Sequence, residues 1–481
     1  MILKGYIFGI LYALVCLALS FILYKLGLAK KYTRKVVHIL VGFEWVILYN
    51  FMGAGPHFLA VCIFFLILLT IAYKGRLMPM ISSDGDNAPG TVYYAAAMTG
   101  VAIVGCFVPE VMLPFGIGVM CTSLGDGLAG AIGQLIKKGN PRIFGEKTLA
   151  GAITNLLASS ASAYVISVVY SIELGLTQCL LIGLLSTGLE LVTPYGLDNV
   201  SITWAATALA YSFMNFDGVS DYILPIVITP LIIAFVTSKK ALTKGGILMA
   251  VILDVAVSIA FGNVGFIILC SFFVGSIIVD KIKKRVKNNG RNDTSSKGDC
   301  RDYMQVIANG GVAFISSLAF AITRNTLFFI PFVASLAEAF SDTVASGIGA
   351  FSRGAFDPFK WRKCEAGISG GMSLTGTLAS LVGALLLSTL AYLFGFEGYG
   401  IGELFIVAAT AFLGAVFDSF LGSVLQVKYK CKACGKITER EEHCGAPCDV
   451  ASGVAAIDND VVNLTSSAFA AILSMVLSLL L

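Results

Sequence analysis

The sequence predicts an all-α fold: a polytopic integral membrane protein with about 16 transmembrane helices in two related bundles. Three observations carry that expectation. Hydrophobic residues make up 57% of the chain and charged residues 13%, and the mean hydropathy is +0.86, whereas soluble domains are nearer half apolar and a quarter charged. Apolar runs such as YIFGILYALVCLALSFILY (6–24) and FLAVCIFFLILLTIAY (58–73) recur along the whole length, each long enough to cross a hydrocarbon core of ~30 Å. Lys and Arg gather in alternate loops, at 25–35, 74–76, 137–147, 239–244, 281–301, 360–363 and 428–440, while the loops at 53–57, 108–112, 171–176, 215–220 and 395–400 have none. By the positive-inside rule the basic loops are cytoplasmic and the N-terminus lies outside. A soluble enzyme is excluded and no nucleic-acid partner is expected, because the bilayer is the solvent.

The first apolar run is too long for a signal peptide, lacks a small-residue cleavage site and leads straight into further spans, so it reads as a retained helix. Next comes R34-K-V-V-H38 at a span boundary, then Glu44 in mid-span, where a carboxyl is expected to hydrogen-bond within the bundle. The loop SSDGDNAPG brings Asp84 and Asp86 ahead of T91-V-Y-Y94. The segment S123-L-G-D-G-L-A-G-A-I-G133 places Asp126 in an otherwise uncharged helix, followed by Lys137, Lys138 and Arg142 and by G145-E-K-T148, which opens the next helix. Glu190, Asp198 and Asn199 lie in LELVTPYGLDN. The break SKKALTKGG (238–246) separates a first domain, 1–237, from a second, 238–481.

The second domain holds a polar loop at 281–302 and then Glu338 and Asp342, one helical turn apart. A basic loop with Arg353, Lys360, Arg362 and Lys363 leads to GISGGMSLTGT, with Ser373 at a helix start. Asp418, Asp458 and Asp460 sit at the ends of the last two spans. Of twelve cysteines, eight are scattered and read as small hydrophobes, and four fall at 431–448 in a Cys-rich loop, 427–459. A cytoplasmic position for that loop argues against disulfides.

The chain also repeats itself. Residues 124–133, LGDGLAGAIG, align without gaps with 340–349, FSDTVASGIG, matching Asp126 with Asp342, Ala129 with Ala345 and Gly133 with Gly349. Downstream, KTLAGA (147–152) matches MSLTGT (372–377). Two related sites are expected, one per half.

A carboxylate at membrane depth is costly and marks function unless it is paired, although close helix packing around an incidental Asp is the plain alternative. Lys147 and Thr148, with the free N–H groups of a helix start, make a phosphate cradle, and Arg34, Lys35, Lys137 and Arg142 add positive charge. An Asp able to hold Mg²⁺ beside such a lysine is the minimum apparatus of phosphoryl or nucleotidyl transfer. Asp126 is that Asp in the first half. In the second, Glu338 and Asp342 together suit a metal, with Asp418, Asp458 and Asp460 as further ligands; Asp458 and Asp460 serve equally well as helix caps. His38 reads as a base, a phosphate donor or a snorkelling interfacial ring. Cys431-x2-Cys434 and His443-Cys444-x3-Cys448 offer four thiols and an imidazole, enough for a structural zinc site, with idle thiols as the alternative.

Residues 1 to about 237, through RKVVHILVG, GTVYY, SLGDGLAGAIG with GEKTLAG, and the E-x7-DN segment, resemble the phytol and dolichol kinase family, whose members phosphorylate polyprenols with CTP. Residues from about 240 to 481, through QVIANGGVA, SDTVASGIG, GISGGMSLTGTLAS, FDSFLG, CKACGK, HCG and DNDVVN, are similar to the transmembrane protein 19 (DUF92) family, which includes plant phytyl-phosphate kinase. The resemblance implies a bifunctional salvage enzyme at the cell membrane, with both sites on the cytoplasmic face. The first half would convert an isoprenoid alcohol of the phytol or geranylgeraniol type to its phosphate, and the second would convert that phosphate to the diphosphate. It implies that Asp126 and Asp342 hold Mg²⁺ with a nucleoside triphosphate, CTP or ATP. Lys147 and Lys363 would contact phosphate, with Arg362 and Ser373 beside them, and His38 or Glu190 would position the accepting oxygen. Two departures stand out: PYGLDN is less acidic than the family pattern, and Met372 occupies the position matching Lys147, which leaves phosphate to Lys363 or Arg362. The rival readings are a cytidylyltransferase that forms a CDP-lipid and a lipid or small-molecule transporter or flippase.

Overall fold

The computed structural model describes residues 1–75, 90–136, 138–194, 196–215, 219–287, 300–352, 354–364, 369–435 and 437–480. Asp84, Asp86, Lys137 and Arg353 lie outside these residues. The chain forms two compact units, Met1–Lys239 and Lys240–Leu481.

The first unit contains α1 (Ile2–Lys25), α2 (Lys30–Gly42), α3 (Glu44–Met52), α4 (Pro56–Lys74), α5 (Gly90–Phe107), α6 (Met112–Met120), α7 (Gly127–Leu135), a small hairpin of β1 (Arg142–Phe144) and β2 (Lys147–Thr148), then α8 (Leu149–Val169), α9 (Leu176–Val192), α10 (Asp198–Asn215) and α11 (Ile223–Ser238). A π-helical turn, Cys121–Asp126, joins α6 to α7. The second unit contains α12 (Lys244–Lys287), α13 (Tyr303–Thr323), α14 (Phe329–Gly349), the hairpin β3 (Ala355–Asp357) and β4 (Arg362–Cys364), α15 (Leu374–Phe394) and α16 (Ile401–Val424). A sheet of β5 (Lys428–Cys431), β6 (Ile437–Thr438), β7 (Glu442–His443) and β8 (Ala446–Ser452) follows, in the order β6-β5-β8-β7, and α17 (Asn459–Leu480) closes the unit.

Among the described residues twelve helical segments are long and apolar enough to cross a membrane, against the expected count of about 16. The difference has local causes. Helices α9 and α11 are apolar but only 17 and 16 residues long, α10 is dotted with Ser and Thr, and Gly262, at φ 56°, breaks α12 inside a single 40-residue apolar stretch.

Each unit is organised around its most buried span. Pro109–Leu135 is 83% buried and Thr326–Gly349 72% buried along their apolar windows, and these are the segments that carry Asp126 and Asp342. Around them helices approach closely over small residues, the packing available where lipid removes the usual hydrophobic drive. On α1, Gly5, Gly9, Ala13, Cys16 and Ser20 form the buried stripe, with Leu48 of α3 seated on Gly9, while Leu14, Val15 and Ile22 remain exposed. Trp45, Phe58 and Phe115 anchor the first core, and Phe261, Phe329 and Phe332 the second, with ring centroids 4.6 to 5.7 Å apart.

The sequence repeat is also a repeat of structure. In each unit the Asp-bearing helix leads into a two-stranded hairpin and then into a helix capped by a hydroxyl. Gly151 N donates to Thr148 Oγ1 at 3.3 Å, and Gly376 N donates to Ser373 Oγ at 3.1 Å, a cap worth about 1 kcal/mol. A Cβ on Gly151 would stand 3.1 Å from the Ala129 carbonyl oxygen, and one on Gly376 3.1 Å from that of Ala345. Within each unit the aligned Ala and Gly are therefore the contact point between its Asp-bearing helix and the helix after the hairpin.

Candidate active site

A cavity of about 930 Å³ opens in the first unit between α1–α5, α7, the β1–β2 hairpin and the start of α10. Its lining changes character along its length. The stripe Arg34, Lys35, His38, Val41, Glu44 and Leu48 runs down the α2–α3 rod at helical spacing, so the wall passes from cationic to apolar. At the polar end stand Asp126, Arg142, Lys147, Thr148, Glu190 and Asp198; at the other end Ala13, Leu17, Val61, Phe65, Leu69 and Met98 form an apolar arm.

Asp126 is 6% exposed. Its Oδ2 accepts from Lys35 Nζ at 2.9 Å and lies 3.6 Å from His38 Nε2. His38 Nε2 is 3.1 Å from the Thr122 carbonyl oxygen; a carbonyl only accepts, so Nε2 carries the proton and Nδ1 is the ring's acceptor. Tyr94 packs edge-on to His38 at 5.3 Å and shares a hydrogen bond with Ser123 at 2.9 Å. Lys147 donates to Glu190 Oε1 and lies 3.6 Å from Asp198 Oδ2. Burial works against its charge, but Asp198, Asp126 and Glu190 outweigh that and hold the ammonium above the usual lysine range.

Local chemistry explains how the hairpin holds Lys147 there. Asn140 donates to the Gly133 and Ile136 carbonyls at 3.1 and 2.9 Å and accepts from Ala150 N at 2.9 Å, tying the end of α7 to the start of α8. Asn140 was not singled out in the sequence, although a lone Asn after a Gly is the ordinary signal of such a junction. Glu44 departs from expectation: instead of a hydrogen bond within the bundle, its Oε1 is buried without a partner and the residue lines the cavity.

In the second unit Glu338, 1% exposed, accepts from Ser467 Oγ at 2.6 Å through Oε2, while Oε1 is buried without a partner. Asp418 accepts from Ser466 Oγ at 3.2 Å and lies within electrostatic reach of Asp342, Glu338 and Glu439. Lys283 of α12 lies within electrostatic reach of Asp342. Asp458 stands apart from this group, because its exposed carboxylate accepts from Val461 N at 3.0 Å and caps α17. Asp460 is buried at the same helix start. Along β4 side chains alternate, so Lys363 points away from the face of Arg362. It is Arg362, with Lys360, that lies within reach of Lys428. Ser373 is the α15 cap. Three residues here had no signal in the sequence: Lys283 looked like one of many loop cations, and Lys428 and Glu439 reach the site across a sheet. Burial and then Lys360 push Lys428 below the usual lysine range, and burial pushes Glu439 above the usual carboxylate range.

No disulfide joins any of the twelve cysteines, and Cys431, Cys434, His443 and Cys444 bring their donor atoms within 4.8 Å of one another.

Fold and site together define a multi-pass helical membrane protein whose charged groups converge at Asp126 and Asp342 of two central helices. The chain belongs to the family described as integral membrane protein DUF92, whose model matches residues 227–471. It is 28% identical over 192 residues to a phytol kinase of Synechocystis sp., covering 37% of this chain and 78% of that relative. An uncharacterized membrane protein of the same organism is 30% identical over 204 residues, 41% of this chain and 78% of the relative. The Arabidopsis thaliana chloroplastic protein VTE6 is 28% identical over 169 residues, 32% of this chain and 48% of the relative. No solved structure matches the chain.

Proposed function

We propose that this chain is a membrane phosphotransferase that phosphorylates an isoprenoid alcohol in its first unit and the resulting monophosphate in its second. The reading rests above all on the cavity that joins a polar end, holding Asp126, Lys35 and Lys147, to an apolar arm. An alcohol with a long hydrocarbon tail fits that division, tail in the arm and hydroxyl among the charges. A relative named phytol kinase supports the same substrate class.

In this reading the prenol oxygen attacks the terminal phosphorus of a nucleoside triphosphate, CTP by family analogy. A new C–O–P linkage forms, the bond to the bridging oxygen breaks, and the nucleoside diphosphate leaves. Nδ1 of His38 takes the hydroxyl proton. Lys147, Arg34 and Arg142 hold the phosphates, and the work is mostly positioning and charge neutralisation. In the second step a phosphate oxygen is the nucleophile and no base is needed; Arg362, Lys360 and Lys428 supply positive charge.

The donor sets suit Mg²⁺, a hard cation that prefers carboxylate oxygen. Asp126 with Asp198 would hold it in the first unit and Glu338, Asp342 and Asp418 in the second, where the buried, unpartnered Oε1 of Glu338 fits a ligand role. Such an ion would offset the charge of the nucleotide phosphates. We further propose 16 crossings, counting α9, α10, α11 and both arms of α12, with both sites facing the cytoplasm.

The test is incubation of the purified full chain in detergent with Mg²⁺, γ-labelled CTP or ATP, and phytol, geranylgeraniol or dolichol. Labelled lipid mono- and diphosphate are expected. A product that retains CMP would instead indicate cytidylyl transfer, and a folded protein that labels no lipid from either donor would sink the proposal.

A further inference from the structure

The α9–α10 link of the first unit is the short segment from Val192 to Asp198, whereas the equivalent α16–α17 link carries the whole four-stranded sheet. The Cys-rich residues belong to that insertion. Cys431 ends β5, and Cys434 follows one turn later, next to Gly435 at φ 71°. His443 ends β7, and Cys444 (φ 56°) and Gly445 (φ 71°) make the tight turn into β8. The left-handed backbone at Cys444 is uncommon for a residue with a side chain, and here it turns the thiol back toward the first pair. Cys434 Sγ and Cys444 Sγ lie 3.4 and 3.2 Å from His443 Nδ1, and Cys431 Sγ lies 3.3 Å from the His443 carbonyl oxygen.

We propose that Cys431, Cys434, Cys444 and His443 Nδ1 hold a structural zinc ion that fixes the sheet and so positions Glu439 and Lys428 at the second site. Three thiols and an imidazole are a soft-to-borderline donor set that selects zinc over Mg²⁺ or Ca²⁺, and four protein ligands leave no open position for catalysis. Cys448 faces Cys431 across the β5–β8 ladder but is outside the four-donor group.

The sheet's reach to the second site is direct. Lys428 opens β5 and donates to the Ser369 carbonyl oxygen at 2.7 Å, while Ser369 Oγ donates to Glu439, just past β6. Glu439 in turn is within electrostatic reach of Asp342 and Asp418. The zinc site stands on the donor geometry alone; its influence on phosphate transfer rests on the function proposed above.

The test is metal analysis of the full-length protein purified in detergent, with about one zinc per chain expected. Cys434→Ser and Cys444→Ser should lose it, Cys448→Ser should keep it, and cobalt exchanged into the wild type should show the visible bands of a tetrahedral thiolate site. Wild type without zinc, or Cys434→Ser with full zinc, overturns the site, and loss in Cys448→Ser overturns the donor assignment. Cys434→Ser should also slow monophosphate-to-diphosphate conversion at least tenfold while the first step continues, which shows the variant to be folded. An unchanged second step in zinc-free protein overturns the positioning role and leaves the metal site intact. Were no lipid labelled by any form of the protein, zinc content would still decide the metal proposal.

Discussion

Lys147 answers to Asp126, Glu190 and Asp198 together, and Asp126 in turn answers to Lys35, His38 and Lys147. Neither side chain can be changed without leaving a buried partner uncompensated, a loss that typically costs about 3–5 kcal/mol. Asp357 is the simpler case. Burial disfavours its charge, but Ser423 Oγ at 2.8 Å and the N–H groups of Lys360 and Phe359 prevail and hold the carboxyl below its usual range. A lowered pKa means that the charged form is favoured by folding. Its stabilisation is therefore complete above the ordinary carboxylate pKa of about 4 and fades as pH falls through the lowered value. Asp357→Asn should accordingly lower the melting temperature of the detergent-solubilised protein near pH 7, with the gap to wild type closing as the pH is taken below about 4. A gap that does not change with pH would show that the carboxylate charge is not what matters. The residues legible in the sequence were those out of keeping with their surroundings, such as Asp126 in an uncharged helix. Glu44 was visible for the same reason, but its role could not be read, because whether a mid-span carboxyl meets a partner or a cavity is decided by other helices.

Helices in both units are placed by glycine more than by bulk. A Cβ on Gly118 of α6 would fall 2.4 Å from the Thr203 carbonyl oxygen of α10, where backbone rather than a flexible side chain must yield. Gly118→Ala should destabilise the protein by about 1–3 kcal/mol, seen as a lower melting temperature in detergent; an unchanged value would mean that α6 and α10 separate freely. The π-helical turn at Cys121–Asp126 works at the same scale, since widening the coil there re-aims every later side chain, Asp126 included, relative to a straight α-helix. No periodicity announces such a turn in a stretch that is buried on nearly every side. The hydroxyl caps at Thr148 and Ser373 were readable, because KTLAGA and MSLTGT each place a hydroxyl three residues before a glycine at a helix start. The sheet was not: its strands are two to seven residues long, too short for an alternation to show, and only the cysteines marked it.

For the whole molecule, the sequence made the membrane class and the internal repeat plain, because both are written in composition and in local identity. Span number was harder to read, because α9, α10 and α11 are short or polar and the break in α12 rests on one glycine. The two units differ in what surrounds each Asp, Asp126 being paired to Lys35 and Asp342 lying within electrostatic reach of Lys283, Glu439 and Asp418, and the proposed division of labour between them has a direct test. Asp126→Asn should reduce prenol phosphorylation about a hundredfold or more yet leave conversion of supplied monophosphate intact. Asp342→Asn should do the reverse and accumulate monophosphate, as product chromatography would show. Loss of both steps in either variant would refute independent sites. The apolar arm of the first cavity carries a last consequence. Its walls include α1 and α4, whose outer faces present Leu14, Val15, Ile67 and Ile71 to lipid. A substrate that reaches the arm from the surrounding hydrocarbon is dissolved in two dimensions, so its saturation should follow mole fraction in the bilayer or micelle, and diluting the surface with inert lipid should slow turnover at constant bulk concentration.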